Sequence, residues 1–402
     1  MTLSLSSQAY LQAPHEALAA MVAGDAWYRA KMPILGEIDF VTRHAAIHAV
    51  LKDKDRFVVD ARHAGHKAPF GMPFLPRSLK IMADNVLSMD DPDHARLRRL
   101  ADAPFRRAAI LTQRRKIVAY AHELLDLMET DGNTDLVSGF CRPLPLKVIY
   151  GLLGFRPETE VKLSRTLSNL TATDSPLTML WGLFRLGHVQ DMLREEFRAL
   201  HAEPREGLVS ELVHAEADGQ KMSENELLAM VFVLFVAGHE TTTHLLSSGV
   251  WTLLTQRGAA DQVRAMDEDA RLIAVDELMR YCTPVQMTKP RFVKEDMDFE
   301  GRALKRGDRV FGFLAAGNMD PAEFDDPLTL NLSRRPNRHV GFGSGPHVCL
   351  GIHLARTEGE AALQVLLSRY PHLAIDGGAD NVKWISRSGL RGLKQLPLRL
   401  QA

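Results

Sequence analysis

Phe342-Gly343-Ser344-Gly345-Pro346-His347-Val348-Cys349-Leu350-Gly351 places one cysteine on a glycine-rich loop that runs into a helix. Gly343 and Gly345 permit a tight turn with positive φ, and Gly351 lets the backbone approach a flat partner that a Cβ would hold away. The residues that follow, Ile352-His353-Leu354-Ala355-Arg356-Thr357-Glu358, read as helix. The Cys349 sulfur therefore sits near a helix N-terminus, whose free N–H groups stabilise a thiolate. A lone cysteine is most often an ordinary buried thiol; the full spacing F-x-x-G-x-H-x-C-x-G argues against that here.

This spacing resembles the haem-binding signature of the cytochrome P450 monooxygenases. The resemblance implies that Cys349 is the metal ligand to the iron of haem b, iron protoporphyrin IX. It also implies that Phe342 packs beside the sulfur, that the amides after Cys349 support the thiolate, and that Gly351 lies against the macrocycle. Iron held by one thiolate receives electron density that favours cleavage of an O–O bond, so the ligand points to oxygen activation.

Composition is compatible with that reading. At 402 residues and 46% hydrophobic, the chain can bury roughly 75% of its unfolded surface. No Pro/Gly/Ser linker, composition break or internal repeat divides it, so residues 1–402 read as a single cytochrome P450 domain. A formal charge of −1 offers no global electrostatic case for nucleic acid or an anionic membrane. Cys141, Cys282 and Cys349 are too few and too scattered for a disulfide framework, which fits a reducing cytoplasm. Met1 to Gly24 holds neither a membrane span nor a signal-peptide pattern. The expectation is a soluble cytoplasmic protein with no membrane span.

The longest apolar run, Leu227 to Gly238, follows Ser223-Glu224-Asn225-Glu226, in which Ser223 and Glu226 have capping-box spacing. It reads as the start of a long buried helix, too short by itself to cross a bilayer. The run continues into His239-Glu240-Thr241-Thr242-Thr243-His244, a polar cluster that is costly in a core unless it serves something. A zinc site fails on spacing, because histidines five apart lie about 140° apart around a helix. Ala237-Gly238-His239-Glu240-Thr241-Thr242 instead resembles the family's acid-alcohol motif. There Ala237 and Gly238 make room beside the haem, and Glu240 and Thr241 relay the protons that heterolytic O–O cleavage requires. The alternative for Thr241 is a bond back to a carbonyl of its own helix. His239 and His244 read as structural or polar lining.

Two further pairs have helical spacing. Glu277 and Arg280, three apart, share a helix face, and in the family such a pair joins an arginine before the haem loop in a buried charge triad. Arg334, fifteen residues before Cys349, has the expected spacing, with Arg335 adjacent. These three are given structural roles. His94 and Arg98, four apart on a helix that opens at Pro92, resemble the family's H-x-x-x-R. With Arg291 and His347 they would hold the haem propionates by charge-assisted hydrogen bonds worth about 1.5 to 3 kcal/mol each.

Arg96, Arg99, Arg106, Arg107, Arg114, Arg115 and Lys116 form a local basic excess. Charge runs are usually solvated faces, but in the family this side of the haem receives electrons from a small acidic iron–sulfur protein, a ferredoxin, or from a flavodoxin. The resemblance therefore implies a docking patch weakened by salt.

Apolar periodicity predicts helices over Ile117 to Met128, Leu208 to Glu216, Leu227 to Thr255, Ala270 to Tyr281 and Ile352 to Tyr370. Strands are predicted over Ile38 to Thr42, Arg309 to Leu314 and Leu396 to Leu400. The family's architecture, mainly α with small β-sheets in a helical triangular prism around the haem, is implied by the resemblance. By the same correspondence the substrate pocket is lined by the loop Phe70 to Leu75 with Phe74, by Leu177 to Leu186 with Trp181 and Phe184, and by Leu234, Val285, Gln286 and Leu390. The implied activity is insertion of one atom of O2 into a C–H bond of a hydrophobic small molecule. Alternatives are a peroxide-driven peroxygenase of the same fold and a non-catalytic haem sensor or carrier.

Overall fold

Ser223 opens the longest helix, Glu224–Thr255, through the predicted capping box. Its hydroxyl accepts the Glu226 N–H, and the Glu226 carboxylate accepts the Ser223 N–H at 2.8 Å. In the computed structural model, residues 4–32, 36–66, 81, 83–163, 176–217, 219–387 and 389–400 are described, with backbone alone at 31–32, 176–186 and 217. At 32 residues this helix is long and apolar enough to cross a membrane, so length alone would allow a span. Its apolar surface is instead spent inside the protein. Leu228, Met230, Val231, Leu245 and Val250 are buried, and the helix packs on Pro143–Leu153, Glu268–Cys282 and Ile352–Arg369.

Around this axis the predicted helices appear with small boundary shifts. Ile117 to Met128 lies inside Arg107–Asp131, which ends on Gly132 in the left-handed conformation. The helix predicted to Glu216 stops at His214, and Glu216 begins a short strand. The sheet sits to one side, with five strands among the described residues. Their order is Trp27–Met32, Gly36–Val41, Arg309–Gly312, Arg291–Val293 and Phe57–Val58. Gly36–Val41 runs parallel to Arg309–Gly312 with Phe40 opposite Phe311, and the other neighbours are antiparallel.

Two strand expectations are corrected. The strand from Arg309 ends at Gly312, and Leu314 starts a one-turn helix. The run Leu396 to Leu400 is divided by Pro397, so Leu393–Gln395 pairs with Lys383–Trp384 while Leu398–Arg399 pairs with Ala374–Ile375. Proline lacks the N–H that a continuous ladder needs.

The core divides along the same line. The larger cluster joins the helical body, from Leu11 through Phe140 and Leu246 to Leu366, and the smaller one, with Ile47, Phe57, Val293 and Val310, lies under the sheet. The cysteine loop lies beside the sheet-side part. Gly345, at φ +70°, is pressed so closely on the helix His44–Lys52 that a Cβ would come within 2.5 Å of the Leu51 carbonyl oxygen.

Candidate active site

The loop before Cys349 is held by a buried charge cluster. Glu277 is fully buried and accepts bonds from Arg280 Nε and Nη2 at 2.8 Å, from Arg334 Nε at 3.1 Å, from Asn337 Nδ2 at 3.0 Å and from the Asn331 N–H at 2.9 Å. Arg280 also donates to the carbonyls of Asn318 and Pro327, and Arg334 to that of Asp325. Every lone pair of the carboxylate is used, which is the condition under which a buried ion pair is tolerated. Arg334, and not the exposed Arg335, enters the triad. Asn318 completes the staple, its Oδ1 accepting the Val340 N–H at 2.8 Å just ahead of the loop.

Within the loop, Gly343 (φ +72°) and Gly345 make the turn, and the Cys349 N–H donates to the Phe342 carbonyl at 2.9 Å. Cys349 is half-buried, and the helix Ile352–Arg369 starts three residues on from it. Burial holds the Cys349 thiol above its ordinary value, while the Gly351 N–H and Arg98 pull the other way. A metal ion held by this sulfur would deprotonate it. A Cβ built on Gly351 meets nothing within 4 Å, so the space over this residue can take a flat group.

Four cationic or imidazole side chains from distant segments gather at this loop. The helix Asp93–Asp102 presents His94 and Arg98; the His94 ring lies 4.0 Å from that of His347, and Arg98 Nη2 donates to the Val348 carbonyl at 2.7 Å. The strand Arg291–Val293 turns a buried Arg291 toward the same place. Burial, then Arg291, His94, Arg98 and Lys289, push His347 down to about 2, and burial lowers Arg291 to about 10.

The carboxylates that act on this cluster are already engaged. Asp90 accepts the Val59 and Asp60 N–H groups, Asp91 binds Lys54 at 2.7 Å and lies 3.6 Å from His94, and Asp102 binds Arg106 at 2.9 Å. Among the described residues Arg291 makes no ion pair within 4.0 Å. Buried positive charge with so little compensation is costly, and it fits a dianionic ligand such as the two carboxylates of a haem. The residues present fit that cofactor.

On the central helix one face stays open although its neighbours are buried: Ala237 is exposed, and Gly238, Glu240 and Thr241 are half-buried. Glu240 and Thr241 are adjacent in the chain but make no hydrogen bond to one another. The Thr241 hydroxyl donates to the Ala237 carbonyl at 2.8 Å, which leaves its oxygen free to accept. Glu240 Oε1 pairs with Arg387 at 2.7 Å. Sequence reasoning missed Arg387, and no local signal could have found it, since the partners are 147 residues apart.

His239 bonds to the Phe235 carbonyl at 2.8 Å, in line with a structural role. His244 is buried, lowered to about 4 chiefly by desolvation, and both ring nitrogens lack partners among the described residues. It wedges against Gly392, where a Cβ would come within 2.1 Å of Nδ1. No group of three metal-ligating side chains occurs among the described residues.

Of the expected pocket residues, Phe70 and Phe74 lie outside the described residues, as do the side chains of Trp181 and Phe184. Leu234 is buried; Val285 and Leu390 are half-buried and form an antiparallel bridge. Gln286 is 1% exposed; its Oε1 accepts a bond from Tyr10 at 2.9 Å, while its Nε2 has no hydrogen-bond partner among the described residues.

Of the basic run, Arg96 pairs with Glu226 and Arg114 with Glu360 and Glu268, and Arg106 makes a surface pair with Asp102, while Arg99, Arg115 and Lys116 are exposed. Arg107 is exposed and joins Arg335, His353 and Arg356 around a groove of about 220 Å³ with Leu111, Leu272 and Ile273 in its walls. His353, four residues after Cys349 in the chain, places the rim of this groove at the start of the helix that follows the cysteine loop.

Known proteins share these features. The sequence pattern described as Cytochrome P450 matches residues 183–266 and 273–391. The polyketide biosynthesis cytochrome P450 PksS of Bacillus subtilis strain 168 is 36% identical over 360 residues, covering 90% of this chain and 88% of that protein. Its solved structure superposes with a TM-score of 0.89 at 32% identity, covering 100% of both chains. The myxobacterial cytochrome P450 CYP267B1, solved in complex with myristic acid, superposes with a TM-score of 0.87 at 31% identity over 99% of each chain. With the cysteine loop, the buried triad and the cationic cluster in place, the chain belongs to the cytochrome P450 family and is a haem-dependent monooxygenase.

Proposed function

We propose that this enzyme is a soluble cytoplasmic monooxygenase that inserts one atom of O2 into a C–H bond of a large hydrophobic molecule of polyketide or fatty-acid scale. The cofactor is haem b, and a separate ferredoxin or flavodoxin supplies the electrons. The observation that carries the reading is the gathering of His94, Arg98, Arg291 and His347 beside the Cys349 loop. The polyketide-pathway relative and the myristic acid bound to the other solved structure support the substrate class. Buried free thiols at Cys141 and Cys282 support a reducing compartment.

Thiolate-ligated haem supplies the electron density that favours O–O cleavage. The chain supplies the rest. Cys349 is the ligand, and Arg98, Arg291, His94 and His347 hold the propionates. Ala237 and Gly238 keep side chains out of the reaction space. Thr241, oriented by its bond to Ala237, accepts and passes a proton, and Glu240 replenishes it when its carboxylate leaves Arg387.

The relay is tested with Thr241→Ala, assayed with a surrogate ferredoxin and reductase on a substrate found by spin-state shift. Product formed per NADPH should fall roughly tenfold or more, with the lost electrons recovered as hydrogen peroxide. Unchanged coupling would remove Thr241 from the proton path.

The electron donor is tested at the groove. Arg107→Glu with Arg335→Glu should slow reduction by a strongly acidic [2Fe–2S] ferredoxin about tenfold at low ionic strength and flatten its salt dependence. Arg96→Gln, whose charge is already paired, should not reproduce that effect. Equal slowing by both would return the docking site to the originally expected patch.

A further inference from the structure

Tyr10 is almost fully buried on the five-residue helix Gln8–Gln12, far in sequence from everything the reaction uses. Its hydroxyl donates to Gln286 Oε1 at 2.9 Å. Gln286 is fixed on both sides of its own backbone: its N–H donates to the Gly389 carbonyl at 2.9 Å, and its carbonyl accepts the Ala315 N–H at 3.2 Å. One residue away on each partner segment stand Val285 and Leu390, a bridged, half-buried pair. The Tyr10 bond therefore ends one residue from Val285, and Gly389, to which Gln286 is bonded, is one residue from Leu390.

The same helix grips the second arm. Arg391, next to Leu390, is 1% exposed and donates from Nε to the Leu11 carbonyl at 2.7 Å. Its N–H reaches the Pro284 carbonyl at 2.8 Å, which ties the two arms together again. The guanidinium lies 4.3 Å from the Trp384 ring centroid and 5.9 Å from that of Trp251, with no carboxylate pairing it among the described residues. A buried arginine without a counter-charge is expensive, and a hydrophobic side chain would fill the space more cheaply. What the fork alone provides is directional bonding to the Leu11 carbonyl and the 282–284 turn. Gln8 adds a reciprocal pair of bonds to the Trp384 backbone at 3.2 and 3.3 Å.

We infer that the Gln8–Gln12 helix is a strut that sets the separation of the 284–287 and 384–391 arms, and that Tyr10, Gln286 and Arg391 are positioning residues for substrate selectivity. None of them touches the substrate. They act through Val285 and Leu390, and the inference rests on the proposed placement of those two residues in the pocket wall. Because the strut spans two arms, its loss lets the wall recede. Discrimination against bulk then changes without any change in the residues that meet the ligand.

The experiment uses the full-length holoprotein and spectral titration with a bulky rigid probe, testosterone, and a small one, imidazole. Tyr10→Phe removes one hydroxyl, and Arg391→Lys keeps the charge but loses the fork. The expected result for each is a change of about threefold or more in the ratio of the two dissociation constants, with the carbon monoxide difference spectrum retained. A lower unfolding temperature with an unchanged ratio would mean that the helix only stabilises the fold, and would overturn the inference. Leu390→Ala is titrated alongside. If it leaves the ratio unchanged too, the pocket assignment has failed; if it alone shifts the ratio, the strut has failed.

Discussion

Replacing Cys349 with alanine is expected to abolish the strongly red-shifted Soret band of the reduced, carbon monoxide-bound protein and to reduce turnover by at least about 100-fold. The reason is that nothing else in the neighbourhood can replace the sulfur. Cys141 and Cys282 are buried in the core, with exposures of 0% and 2%, and burial raises the pKa of both thiols. The cluster of His94, Arg98, Arg291 and His347, proposed to hold the propionates, is untouched by the substitution, so the variant should retain part of its haem. Retained haem with a His-like spectrum would separate the two functions of the site: Cys349 sets the chemistry, and His94, Arg98, Arg291 and His347 hold the group. A variant that kept the red-shifted band would remove Cys349 as the ligand, and with it the proposed reaction.

Glu277→Ala should be nearly as damaging, although Glu277 touches neither substrate nor cofactor. Removing one partner of a buried pair typically costs roughly 3–5 kcal/mol, and here one carboxylate serves two arginines, an asparagine and a backbone amide. For a chain of this length that corresponds to a fall of at least about 4–6 °C in Tm. Haem incorporation should also fall, because the segment from Asn331 to Val340 that leads into the loop loses its anchor. Glu277→Gln, which keeps acceptor geometry on one oxygen, should be the milder variant. Thermal unfolding and the ratio of Soret to protein absorbance report both effects. Wild-type values for Glu277→Ala would show that the loop is positioned by its own turn and not by the triad.

The pairing of Glu240 with Arg387 changes how the acid-alcohol motif is understood. By sequence the acid and the alcohol are neighbours. In the folded protein the acid faces the C-terminal segment, and the alcohol is bonded to its own helix. The expected alternative for Thr241, a bond back to the helix, is thus the one the structure contains. It is compatible with a relay because it consumes the hydroxyl proton and leaves the oxygen as an acceptor.

What could be read directly from the chain was local. The cysteine loop, the capping box at Ser223, the Glu277–Arg280 pair and the His94–Arg98 face each lie within a turn or two of backbone. At that range, 3.6-residue periodicity and glycine stereochemistry leave few arrangements. Arg334 was also legible, through its fixed distance from Cys349. The tertiary structure alone decided which charges meet across the fold. Arg96 is tied to Glu226 and Arg114 to Glu360, while Arg99, Arg106, Arg107, Arg115 and Lys116 stay exposed and Arg107 and Arg335 become neighbours in a groove. Gln286 meets Tyr10, 276 residues away, for the same reason. A long side chain reaches whatever packing brings within about 3 Å, and sequence spacing carries no record of that partner once the chain has folded back on itself.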